Sequence, residues 1–221
     1  QLQPIRRRRC KRRSPSINNC MLSEEKKLID YVRSECKEHG IRFVLSNHQA
    51  VNTGERCRAS GYFDETSLVV AKKSSKWVQT LAHEYCHMCQ WLEGEPKYIA
   101  KTEDGRCPCM VFLEWVNGIH DDKDLAFDAM KKVIEMERDC EIRTEKLLQE
   151  YGLLQCQNEI NTFRVRANAY LYSHWVSFQE KRWPKARWST LIDPEMMPKT
   201  FRCKPHEKCS ARIYQHVSKI M

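Results

Sequence analysis

The feature that most constrains this chain is the run His83-Glu84-Tyr85-Cys86-His87. It lies within a stretch where Val78, Leu81, Ala82, Tyr85, Cys86, Cys89 and Leu92 recur at helical spacing. Apolar residues at that period form a helix face that must be covered, and a motif embedded in such a helix is pushed inward with it. Buried imidazoles and a buried carboxylate without partners would cost several kcal/mol, so the fold must bring something to them. Two imidazoles four residues apart share one helical face and can hold a single Zn²⁺. The Glu beside the first His can then reach a water at the metal and take its proton.

A zinc that performs chemistry needs a third protein ligand and an open fourth position. A long helix expected over residues 122–151 offers the ligand. Its apolar stripe runs through Met130, Val133 and Ile134 and resumes at Cys140, Thr144, Leu147 and Leu148, and the positions completing the period are Glu137 and Glu141. Carboxylates in a core stripe need partners. Glu137 is expected as the third ligand and Glu141 as the acceptor for the far nitrogen of a ligating imidazole. His120, Asp121 and Glu114 are the rivals for the third position, His120 first among them because imidazole suits Zn²⁺. A further helix over residues 159–181 places Ile160, Phe163, Ala167, Tyr170, His174 and Phe178 on one face. Tyr170 and His174 are the candidate donors to an oxyanion, His174 ahead because a protonated imidazole donates with charge, set against the commoner role of hydrogen-bonded core residues.

Around these helices the pattern is mixed. Ser23 can cap a first helix that carries Leu28, Ile29, Val32 and Cys36 on one face and stops at Gly40. A strand is expected at residues 41–45, a polar loop to Gly54, and short strands at residues 56–63 and 67–71. Ser74 or Ser75 can cap the HExxH helix. Residues 95–121, with Pro96, Gly105, Cys107-Pro108-Cys109 and Gly118, read as irregular, and Pro184, Pro194, Pro198 and Pro205 predict a loop-rich end with one last turn near residues 210–219. The expected architecture is α+β: a small mixed sheet packed on an HExxH helix and a Glu-bearing helix. Residues 1–20 are expected to form a basic disordered arm, 21–182 the domain, and 183–221 the loop-rich segment.

Charge is concentrated. Of 38 Lys and Arg, seven fall in residues 6–13, RRRRCKRR, which leaves 31 against 29 Asp and Glu in the rest of the chain. The net +9 therefore describes the arm, which is expected to touch nucleic acid without sequence preference. No apolar run reaches the roughly 18 residues that a membrane span needs. Twelve Cys without the regular spacing of small secreted scaffolds predict reduced thiols and an intracellular setting, cytoplasmic or with nucleic acid through the arm. Secretion stays open, since a signal lost ahead of Gln1 would leave no trace. Cys86 is expected to pack beneath the metal site. Cys107 with Cys109, and Cys203 with Cys209 and His206, are weighed as a second metal site or a disulfide.

His83-Glu84-Tyr85-Cys86-His87 after a short strand, followed by Glu137-x-x-Cys140-Glu141 and Leu147-Leu148, resembles the gluzincin-type metallopeptidases, above all the small ImmA/IrrE-like and phage-encoded ones. The lead-in from Gly61-Tyr62 to Trp77-Val78-Gln79-Thr80-Leu81-Ala82 also resembles that of SprT-like proteases, which act on proteins at DNA. The resemblance spans roughly residues 25–150. It departs from the SprT pattern in lacking a closely following His and paired CxxC motifs. It implies a zinc metallopeptidase that hydrolyses peptide bonds of a peptide or protein through a zinc-bound water, with Glu84 as general base and His83, His87 and Glu137 on the metal. The alternative is a zincin-fold regulatory or nucleic-acid-associated protein without turnover.

Overall fold

The structure is a computed structural model and describes residues 17–53, 58–185 and 188–221. The basic run at 6–13 lies outside the described residues. Helix α1 (Ile17–Glu38) begins ahead of Ser23, so Ser23 sits inside the helix and does not cap it, and residues 17–20 belong to the helix. Leu28, Val32 and Cys36 are fully buried along its inner face, as their spacing requires. Gly40, at φ +69°, ends it in the left-handed conformation that glycine adopts without strain.

Strand β1 (Arg42–Ser46) runs parallel to β5 (Ser67–Ala71), and β4 (Gly61–Phe63) pairs antiparallel with the other side of β5. The order β1-β5-β4 makes a small mixed sheet with the all-buried β5 at its centre. Side chains alternate across β5. Leu68 and Val70 join the main core with α1 and the next helix, while Val69 and Ala71 meet Val51 on the opposite face. Val51 belongs to β2 (Val51–Asn52), which pairs antiparallel with β3 (Arg58–Ala59). A loop was expected at β2, and two residues are too few for alternation to reveal a strand.

Helix α2 (Trp77–Leu92) packs on β4 and β5 and carries the HExxH motif. Its N-cap is Lys76, with no side-chain cap, and not Ser74 or Ser75. Within the stretch expected to be irregular lies α3 (Pro108–Val116), with Pro108 in its first turn, where a proline costs no hydrogen bond. Helix α4 (Lys123–Glu150), capped by Asp122, crosses both α2 and α3, and α5 (Gln157–Glu180) lies against α4. The molecule is thus α+β, with helices α2, α4 and α5 meeting at one place. The C-terminal segment carries short 3-10 turns and ends in a full helix, α6 (Ala211–Ile220), where a single last turn was expected. The segment is packed: Val217 and Met221 are fully buried against Tyr172 and Val176 of α5. Asn168 donates to the carbonyls of Pro198 (2.9 Å) and Thr200 (3.1 Å). Among the described residues no helix is long and apolar enough to cross a membrane.

Candidate metal centre

Helix geometry sets His83 above His87, and the two rings meet edge to face, 4.7 Å between centroids. Their Nε2 atoms are 3.1 Å apart. Across from them α4 delivers Glu137, whose Oε2 lies 3.3 Å from each of those nitrogens. That oxygen is fully buried and has no hydrogen-bond partner. Three donor atoms therefore form a nearly equilateral triangle. Ligands about 2.0–2.1 Å from one tetrahedral centre stand roughly 3.3 Å from each other, so the triangle has the dimensions a metal ion would need.

Both outer ring nitrogens are engaged. His87 Nδ1–H donates to Gln90 Oε1 at 2.8 Å, and the Gln90 amide is fixed in turn by Nε2–H donating to the Met136 carbonyl (3.1 Å) and Asp139 Oδ2 (3.0 Å). Asp139 is itself held by Arg143 and Lys97. His83 Nδ1 lies 3.3 Å from Glu141 Oε1 and 3.6 Å from Cys140 Sγ, whose thiol also donates to the His83 carbonyl at 3.3 Å. Such partners fix the orientation of ligating rings and raise their basicity. Glu141 occupies the position its place in the stripe predicts. Gln90 and Asp139 were not anticipated; Gln90 is fully buried one turn past His87.

His83, His87 and Cys140 also bring donor atoms within 4.8 Å of one another, a group that could hold a metal ion. The two donor sets share the histidines and differ in approach. Cys140 Sγ lies against the Nδ1 side of His83, whereas Glu137 Oε2 faces the paired Nε2 atoms. The rivals weighed for the third ligand are elsewhere. His120 Nε2–H donates to the Val111 carbonyl at 3.0 Å, Asp121 pairs with Lys181, and Glu114 pairs with Arg106. Among the described residues no second metal-binding group exists, and the nine cysteines whose side chains are described are free, so the groupings of Cys107 with Cys109 and of Cys203, Cys209 and His206 form neither a second site nor a disulfide.

Electrostatics follow from burial and crowding. Burial pushes the His83 and His87 imidazoles down, but Cys140 and Glu137, joined by Glu141 at His83, outweigh it and carry both well above their ordinary value. Glu137 moves oppositely: burial favours its neutral form, yet the two histidines hold it well below the usual carboxylate range. Glu84 is 9 % exposed and is raised by burial and by Glu137 and Glu141, against the pull of the histidines. No hydrogen bond from a described residue engages its carboxylate. Cys86 is buried beneath the motif, its thiol pushed up by desolvation. At the start of α3, Cys107 is lowered to about 5 by the Cys109 thiol and by backbone N–H groups of Met110 and Cys109, against the effect of burial.

Tyr170 and His174 reach the centre from α5. The Tyr170 ring stands 6.0 Å from that of His83 and 4.7 Å from that of His174. His174 Nδ1–H is spent on the Tyr170 carbonyl at 3.0 Å, and burial lowers its pKa, so the ring is neutral and its Nε2 carries no proton. Tyr170 keeps its proton, because burial and the nearby Glu137 push the phenol well above its ordinary value. Of the two side chains, Tyr170 is the one that keeps a proton to donate.

Gly61 of β4 abuts this helix. A Cβ there would stand 2.6 Å from Thr80 Cγ2, 2.9 Å from the Val69 carbonyl oxygen and 3.1 Å from Glu84 Cγ. Gly61→Ala is therefore expected to cost about 1–3 kcal/mol by overpacking, read as a lowered melting temperature. Thr80→Ser in the same chain should restore part of it by removing Cγ2. An unchanged melting temperature in Gly61→Ala would mean that β4 and α2 are not in contact there. No family model, curated protein or solved structure matches this chain.

Proposed function

We propose that the chain is a zinc-dependent peptidase of zincin-like architecture. The observation that carries this reading is the triangle of His83 Nε2, His87 Nε2 and Glu137 Oε2 with an unengaged buried carboxylate, Glu84, beside it. The dimensions and the N/N/O donor chemistry suit Zn²⁺. When bound, zinc supplies a Lewis acid that polarises a carbonyl and acidifies water. Glu84 takes the proton of the attacking water and returns it to the leaving amide nitrogen. Glu141 and Gln90 hold the histidine rings. The Tyr170 phenol donates to the oxyanion that develops on the attacked carbonyl. Among the described residues strand β4 pairs with β5 alone, and it borders Glu84 through Gly61, so an extended peptide can add along it by main-chain hydrogen bonds.

The alternative, a regulatory or nucleic-acid-associated protein that holds the metal without turnover, has no use for Glu84. A largely buried carboxylate set among other acids is costly in its ionised form, and catalysis gives that cost a purpose. The test is elemental analysis of the purified chain together with hydrolysis of an unfolded protein such as reduced casein. The expected result is one zinc per chain and hydrolysis that a chelator abolishes and added zinc restores. A chain that binds no zinc, or hydrolysis indifferent to the chelator, would refute the reading.

A further inference from the structure

A cavity of about 140 Å³ opens beside the metal centre between α5 and the segment that follows it. Helix α5 contributes Tyr170, Ser173, His174 and Ser177 to its lining. The opposite side is aromatic, from Trp183 and Trp188, with Pro184 between them. Tyr170 belongs to both places: it lines the cavity, and its ring packs 6.0 Å from His83. Tyr170 is thus a wall shared by the cavity and the histidine pair.

Size and chemistry narrow what fits. A cavity of about 150 Å³ lined by apolar side chains takes up benzene, so this one is of the volume that a six-membered aromatic ring fills. Rings favour edge-to-face neighbours, and Tyr170, Trp183 and Trp188 supply three. Among the described residues that line it, none carries a charged side chain. Two polar groups are already satisfied: Ser173 Oγ–H donates to the Tyr170 carbonyl at 2.7 Å, as does His174 Nδ1–H. Trp183, 40 % exposed, is held in place by Nε1–H donating to Asn117 Oδ1 at 3.0 Å and by edge contact with Phe112. A fixed and exposed indole bordering an apolar space is a surface made for covering.

We propose that this cavity receives the side chain of a phenylalanine or tyrosine residue of the peptide substrate, next to the bond that is cut. The assignment rests on the peptidase reading for its role, while the ring site itself can be measured without turnover. The probe is p-cresol, the side-chain analogue of tyrosine, observed by saturation-transfer NMR on the full chain with and without zinc, with methylguanidinium as the charged control. Saturable p-cresol binding is expected in both states, with no methylguanidinium binding. Affinity should fall at least about 10-fold in Trp188→Ala, which removes a wall, and in Ser177→Phe, which fills the space. Absence of p-cresol binding, or equal binding by both folded variants, overturns the proposal. In a defined peptide mixture, the cleaved bonds should carry Phe or Tyr at one fixed neighbouring position, and the ratio of aromatic to alanine cleavage should drop about 10-fold in Ser177→Phe. Cleavage without that preference also overturns it. Ring binding that both variants weaken, with no peptide cleaved, upholds the ring site and removes the peptidase reading alone.

Discussion

Glu84→Gln is expected to bind zinc as the wild type does and to hydrolyse peptides about 10²–10⁴ times more slowly. The substitution keeps the shape of the side chain and removes its capacity to take a proton. It leaves the triangle of His83, His87 and Glu137 untouched, because Glu84 lies outside it. A second readout follows from the raised pKa. In the metal-free protein Glu84 titrates above its ordinary 4.5, with burial the leading cause, so the folded state holds this proton more tightly than the unfolded chain. Stability contributed by the group therefore falls as pH climbs from about 4.5 to the raised value and stays low above it. Metal-free Glu84→Gln should then melt higher than wild type at pH 7, with the gap closing below about pH 4.5. Wild-type turnover in the variant would end the general-base role, and a gap independent of pH would mean that Glu84 is not buried among like charges.

How much of this was legible in the sequence depends on the range of the information. The inward placement of the HExxH helix and the core positions of Glu137 and Glu141 follow from periodicity alone, because a helix repeats its face every turn, and α4 presents the three residues Glu137, Cys140 and Glu141 where the stripe puts them. Gln90 is different. Its role is fixed by Met136 and Asp139 on another helix, and no local pattern encodes that pairing. The tautomer of His174 is by contrast set locally, by the carbonyl one turn back on the same helix. Helix α3 was hidden by punctuation: Gly105, Pro108 and Gly118 read as breakers, yet a proline in the first turn and a glycine past the end are also how a nine-residue helix is bounded. At α1 the acids Glu24 and Glu25 behind Ser23 imitate a helix start inside a helix that had already begun. Gly61 gave no signal of its own, since its importance is the space that Thr80 and Glu84 leave on the neighbouring helix.

Glu137→Gln and Cys140→Ser should differ sharply in zinc affinity, and the difference decides between the two donor sets that share the histidines. Glu137 brings a buried negative oxygen equidistant from both Nε2 atoms, so its loss removes one of three ligands and the anionic charge opposite the metal. An affinity loss beyond about 100-fold is expected, larger than the roughly 10–100-fold that follows removal of a group orienting a ligand. Gln90→Leu, which releases the His87 ring, should fall within that smaller range. Cys140 meets His83 from the Nδ1 side, away from the nitrogens that face each other, so Cys140→Ser should change affinity less than about 10-fold. Competition titration against a chromogenic chelator, with melting curves of the metal-free variants to verify folding, measures all three. The reverse order, with Cys140→Ser losing zinc and Glu137→Gln keeping it, would make the centre a His-His-thiolate site. Its thiolate would place a soft ligand where the peptidase reading puts a carboxylate, and Glu137 would then need another reason to be buried without a hydrogen bond.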